Sequence, residues 1–261
     1  MSILNVSKLT KTFGGLTAVS DVDIDIEKGE LVGLIGPNGA GKTTVFNLLT
    51  GIYEPTSGQI MFTRDGTQKQ LGGLRPDMIS KAGLARTFQN IRLFKELSVL
   101  DNVRIAMHQN IRYGLLSGFL HLPSYLREEK RVKEESLALL DIFNLAAKQD
   151  EKASNLPYGE QRRLEIVRAL ATKPELLLLD EPAAGMNPAE TAQLTATIAQ
   201  IREQFGLTIL LIEHDMSVVM TICERIYVMD YGKIIAHGTP EEIKTNPRVI
   251  EAYLGEDVSH A

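Results

Sequence analysis

The densest chemistry in the chain lies in nine consecutive residues, Gly36, Pro37, Asn38, Gly39, Ala40, Gly41, Lys42, Thr43 and Thr44. They fit the spacing Gly, four free positions, Gly-Lys-Thr; they follow the apolar run "LVGLI" (31–35) and open a helical pattern. Glycines let the backbone curl until its N–H groups converge on phosphate oxygens, where the positive end of a helix adds attraction. Lys42 is placed to reach terminal phosphates, and Thr43 offers a hydroxyl to Mg2+.

A second constellation ends the run "LLLL" (176–179), where Asp180 and Glu181 emerge together. Ligand sites in open α/β sheets lie at the carboxyl ends of the strands. There Asp180 suits Mg2+ and its waters, and Glu181 suits polarising an attacking water. The run "TILLI" (208–212) ends similarly in "EHD", so His214 emerges at the same edge, within reach of a γ-phosphate. Gln89, in "RTFQN", has an amide that can serve metal or water.

These groups need strands to carry them. The three runs are continuous and apolar, as expected of parallel strands covered on both faces. Helical patterns follow each one, over Lys42–Leu49, Pro188–Phe205 and Asp215–Cys223. That alternation implies an α/β layered fold. Earlier, "SDVDIDIEKGE" alternates Val22, Ile24 and Ile26 with Asp21, Asp23 and Asp25, which predicts a half-exposed, antiparallel strand. From about Asn90 to Asn155 no buried strand signal occurs. "LREEKRVKEESLALLDIFNLA" instead sets charge opposite Leu137, Leu140 and Phe143, which predicts a helical insert. "GTPEEI" predicts a short helix capped by Thr239, with Pro240 first and Glu242 closing the cap. "NLPYGEQRRLEI" (155–166) predicts a helix start beside a permissive Gly159, an anion-binding shape.

The 261 residues, 44% of them hydrophobic, can bury a sizeable core. A net charge of −5, from 28 basic and 33 acidic residues, gives no electrostatic reason to expect nucleic acid. Cys223 is the one cysteine, so no intrachain disulfide forms, and a small buried residue in reducing surroundings is expected. No run of about 18 apolar residues occurs, so the chain is expected neither to cross a membrane nor to be exported.

The order Phe13, "GPNGAGKTT", Gln89, "LPYGEQRR", "LLLLDEP" and "LLIEHD" resembles the ATP-binding cassette (ABC) ATPases over essentially the whole chain. "DEPAAGMNP", "EHDM" and "NPRVIEAYLGED" resemble, more narrowly, the ATP-binding subunits of branched-chain amino-acid importers. The resemblance implies a P-loop NTPase (RecA-like) core over 1–89 and 156–261, with an N-terminal antiparallel β subdomain and an α-helical subdomain inserted over 90–155. It implies ATP and Mg2+ as ligands, with Thr43, Asp180 and Gln89 toward the metal and Glu181, His214 and Gln89 as catalytic groups. Phe13 would stack on adenine, a contact worth about 1–3 kcal/mol.

The same resemblance implies a head-to-tail dimer in which each ATP sits between one phosphate loop and the partner's signature segment. Pro157, Tyr158, Gly159 and Glu160 would then face an ATP held by the partner. The family's usual signature is Leu-Ser-Gly-Gly-Gln, so this half-site lacks the Ser hydroxyl, and Pro157 has no N–H to give. That departure predicts a mixed dimer whose second ATP-binding subunit carries a more standard signature. Asn187 is a further departure, from the family's more frequent Asp. The other implied partners are transmembrane permease subunits and, indirectly, a solute-binding protein, with the chain cytoplasmic and peripheral on the inner membrane face. The apolar stretches "IRLFKELSVLDNV" and "YGLLSGFLHL" are the expected places for a groove that receives a permease helix. Alternatives are the ATPase of a urea or lipopolysaccharide system, a soluble ATPase of iron-sulfur cluster assembly, and a non-hydrolysing regulatory module, against which intact Lys42, Asp180, Glu181 and His214 argue.

Overall fold

The computed structural model describes residues 1–108 and 123–259, with side chains described as far as Tyr253. The stretch 113–122, one of the two expected coupling segments, lies outside the described residues. Four strands, β1 (Ser2–Phe13), β2 (Leu16–Glu27), β4 (Ser57–Arg64) and β5 (Thr67–Gln70), form an antiparallel sheet in the order β2-β1-β4-β5. Along β2 the expected alternation holds: Val22, Ile24 and Ile26 are buried while Asp21 and Asp23 are exposed.

The second sheet has the order β10-β9-β3-β8-β7-β6, from β3 (Leu31–Ile35), β6 (Leu84–Arg86), β7 (Leu176–Asp180), β8 (Thr208–Ile212), β9 (Arg225–Asp230) and β10 (Lys233–Gly238). All its pairs are parallel except β9 with β10. Every residue of β3, β7 and β8 is buried, because both faces are covered. Alternate residues divide between two cores. Leu177, Leu179, Ile209 and Leu211 pack with the helices α5 (Tyr158–Ala171) and α6 (Pro188–Phe205) through Val167 and Ile198. Leu176, Leu178, Leu210 and Ile212 pack with Phe46 of α1 (Lys42–Leu49) and with Leu4 and Ile24 of the antiparallel sheet.

Between β6 and β7 the described chain is helical, with α3 (Val99–Met107), α4 (Pro123–Ile142) and α5, and among its described residues no strand longer than an isolated bridge occurs. Leu140 and Phe143 are buried and Leu137 packs beside them, which is the apolar face read from the sequence. The helix α7 spans Met216–Ile222, with Asp215 as its N-cap and Cys223 as its C-cap. Thr239 and Glu242 form a reciprocal capping box on α8 (Pro240–Lys244). The remaining helices are α2 (Pro76–Ala82) and α9 (Pro247–Ser259).

Candidate nucleotide site

Strand β3 stops at Ile35 and α1 begins at Lys42, so Gly36–Gly41 form the loop between a buried strand and a helix N-terminus. Two of its glycines are sterically required. Gly36 has φ 146° and a Cβ there would lie 2.0 Å from the Met229 carbonyl oxygen; Gly41 has φ 105° and its Cβ would lie 2.6 Å from that of Ala18. No side chain caps α1, and an uncapped helix start of this kind suits an anion. Lys42 is buried and folds back on the loop, donating to the Gly36 and Pro37 carbonyls at 2.5 and 2.8 Å. Thr43 is exposed at the helix start. Phe13 ends β1, keeps 41% of its surface exposed, meets the edge of Tyr53 at 5.1 Å and has Lys11 Nζ 5.0 Å from its centroid.

Parallel register brings the tips of β3, β7 and β8 together, since Leu34 pairs with Ile212 and Ile212 with Asp180. Glu181 has a left-handed backbone, φ 48°, and its N–H donates to the Ile212 carbonyl at 2.9 Å. Such a conformation in a non-glycine residue costs about 1–3 kcal/mol and collects at functional turns. Beside the Glu181 carboxylate lie two other residues singled out in the sequence: Gln89 Nε2 donates to Glu181 Oε2 at 3.0 Å, and His214 Nδ1 lies 3.9 Å from that oxygen. Glu181, Gln89 and His214 are thus gathered at one point, with His214 largely exposed.

Asp180 is buried against a residue the sequence did not single out. Arg86, at the end of β6, donates to Asp180 Oδ2 at 2.6 Å, with the two side chains 6% and 1% exposed. The Arg86 guanidinium also donates to Asn47 and Thr50 and lies between the Phe46 and Phe88 rings. Two more unanticipated groups hold the Gln89 segment from α5. Arg162 donates to the carbonyls of Phe88 and Gln89, while Glu165 accepts from the N–H groups of Phe88 and Arg92 at 3.3 Å each. Burial pushes the Glu165 carboxyl above its ordinary range despite the neighbouring Arg162.

The signature segment opens α5 at the surface. Pro157 is the N-cap of α5, so its missing N–H breaks no intrahelical bond, although it takes one donor from the open end of the helix. Glu160 and Gln161 N–H both turn to the Pro157 carbonyl, which leaves the Tyr158 and Gly159 amides as the leading donors of the helix. Tyr158 is 48% exposed. Behind this turn lies the start of α6, where Asn187 and Glu190 form a reciprocal capping box. A Cβ on Gly159 would lie 3.2 Å from Glu190 Oε1, and one on Gly185 would lie 3.1 Å from the Tyr158 ring. Asn187 therefore works as a helix cap, as Asp would.

Comparison with known proteins agrees with this geometry. The family model described as ABC transporter matches residues 19–184. This chain belongs to that family. A second model, described as branched-chain amino acid ATP-binding cassette transporter, matches residues 233–259. The chain is 50% identical over 254 residues to the high-affinity branched-chain amino acid transport ATP-binding protein LivG of Escherichia coli K12, covering 97% of this chain and 98% of that one. It is 49% identical to BraF of Pseudomonas aeruginosa, with the same coverage, and 35% identical to the lipopolysaccharide export ATP-binding protein LptB of E. coli, covering 98% and 99%. Among solved structures, the ADP conformation of MJ1267, an ATP-binding cassette of an ABC transporter, superposes with TM-score 0.82 at 31% identity, covering 98% of this chain and 99% of that one.

The chain is accordingly a nucleotide-binding ABC ATPase with the P-loop α/β fold expected. As a member of the ABC family it works in a dimer with membrane-spanning partners. Among the described residues, no helix is long and apolar enough to cross a membrane.

Proposed function

We propose that this chain is the ATPase subunit of a branched-chain amino-acid importer, lying on the cytoplasmic membrane face through its permease partners and served indirectly by a solute-binding protein. The observation that carries the proposal is the 50% identity with LivG over nearly the full length of both chains, supported by the match at 233–259. The solute would not touch this chain, so nothing in the nucleotide site selects it.

In this reading ATP lies along the loop 36–44, with adenine on Phe13 and the phosphates on Lys42 and the α1 N-terminus. Thr43 hydroxyl and Gln89 amide would supply hard oxygen donors to Mg2+, and Asp180, whose Oδ2 is already held by Arg86, would serve the ion and its waters. When bound, that ion neutralises phosphate charge. Glu181 acts as general base, held by Gln89, and His214 closes on the γ-phosphate side of the same point. The exposed Phe94 and Leu97, within the stretch 91–103, are the described part of a surface that would receive a permease helix.

The dimer is mixed. Tyr158 and Gly159 amides with the α5 dipole form the half-site offered to the partner's ATP, one hydroxyl donor short of the usual signature. The missing bond is worth about 1 kcal/mol. A second ATPase chain with a standard signature would then complete the stronger site on Lys42 and Glu181. Transport reconstituted in vesicles tests both parts. ATP-driven leucine uptake requiring both ATPase chains supports the reading; full-rate uptake with this chain alone refutes the mixed dimer, and uptake of other solutes but not of leucine, isoleucine or valine refutes the importer assignment.

A further inference from the structure

Three carboxylates are buried among the described residues: Asp180, Glu165 and Glu213. The first two face guanidinium groups, Arg86 at 2.6 Å and Arg162 at 3.3 Å. Glu213 is 1% exposed and has no Lys or Arg partner among the described residues. A carboxylate stripped of water without a strong counter-charge is costly unless hydrogen bonds compensate. Desolvation accordingly holds the Glu213 carboxyl above its ordinary range.

What Glu213 touches explains why it is there. Its side chain turns inward from the tip of β8 and bridges the two loops that carry the reacting groups. Oε1 accepts the Ala183 N–H at 2.8 Å, two residues beyond Glu181. Oε2 accepts the His214 N–H at 3.2 Å and lies 4.0 Å from His214 Nδ1. The imidazole therefore stands between two carboxylates, Glu181 at 3.9 Å and Glu213 at 4.0 Å, about one ångström beyond hydrogen-bond range of either. The turn after Glu181 is otherwise tied to β8 through the Glu181 N–H bond to Ile212. The Glu213 bridge adds a second tie between the same two segments, two residues farther along the Glu181 turn.

We infer that Glu213 is a positioning residue for ATP hydrolysis, whose two carboxylate oxygens fix the Glu181 turn and the His214 loop relative to each other. The inference rests on the roles proposed for Glu181 and His214. It requires both oxygens and the full glutamate length. In Glu213→Gln the amide nitrogen opposes one of the two N–H donors; in Glu213→Asp the charge stays but the reach is one methylene shorter.

The test uses the full-length chain assembled with its transporter partners, measuring ATP turnover, KM for ATP and amide exchange at Ala183. The expected result is a fall in kcat of at least tenfold in both variants, KM within twofold of the parent, and faster exchange at Ala183. Turnover of Glu213→Gln within twofold of the parent overturns the inference. So does full rescue by Glu213→Asp, which would make charge alone sufficient, and so does a KM rise with kcat unchanged. Glu181→Gln run in parallel separates the two levels. If that variant turns over normally, the assignment of Glu181 fails; if it is inactive while Glu213→Gln is not, only the present inference fails.

Discussion

Replacing Arg86 by Met tests how the buried edge of the sheet is held. The Arg86–Asp180 pair is 2.6 Å long and almost fully desolvated, and Arg86 also serves Asn47 and Thr50. Met fills a similar volume but leaves Asp180 buried without its counter-charge. Breaking such a pair from one side costs about 3–5 kcal/mol, whereas removing both charges is close to neutral. Arg86→Met and Asp180→Asn should therefore each destabilise the chain by about 3–5 kcal/mol, while the double variant loses less than about 2 kcal/mol. Denaturant unfolding of the four proteins, without nucleotide or divalent ions, closes the cycle. A loss below about 1 kcal/mol in Arg86→Met, or simple additivity in the double variant, would refute the reasoning, because that is the behaviour of a solvated surface pair.

Other outcomes follow from neighbouring geometry. Lys42→Ala should nearly abolish ATP binding, since it removes charge-assisted bonds worth about 1.5–3 kcal/mol each; equilibrium binding of a fluorescent ATP analogue checks it. Gly159→Asp sets a second carboxylate beside Glu190, 3.2 Å from the position of the new Cβ, and should destabilise the chain by about 1 kcal/mol through the α6 cap, with Glu190→Gln in the same chain restoring the melting temperature. Burial, aided by Glu224 and Glu213, pushes the Cys223 thiol up to about 12, so a thiol reagent near neutral pH should label the unfolded chain and not the folded one. Because the folded-state value is raised, the Cys223 contribution to stability is intact below the ordinary thiol value of 9.0 and is lost as pH climbs from there through about 12; Cys223→Ala should flatten that part of the unfolding profile.

The elements that carry the site were legible for a physical reason. Strands β3, β7 and β8 are buried throughout, so their composition is apolar apart from Thr208 and Asp180 at strand ends, and the glycine loop or acid that ends each run marks the reactive edge. β5 is exposed along its whole length and β6 is only three residues long, so neither has a period to detect. Arg86 escaped notice with β6, because its partner lies 94 residues away and only the parallel pairing of β6 and β7 joins them. Glu213 was visible in "LLIEHD", yet its inward turn depends on where the Ala183 N–H points, which no local pattern encodes. The departure at Pro157 is legible as a residue type, and what only the structure supplies is its place as the N-cap of α5, where no intrahelical bond depends on its missing N–H.

The most direct test of the account is ATP binding and phosphate release by Glu181→Gln in the assembled transporter. The substitution keeps the shape of the side chain that meets Gln89 and His214 and removes its basicity. The account predicts ATP affinity within a few-fold of the parent, ATP recovered intact from the protein, and phosphate release slowed by at least about a hundredfold, the lower end of what general-base catalysis contributes. Phosphate release at the parent rate would contradict it and move the base elsewhere on the edge formed by β7 and β8.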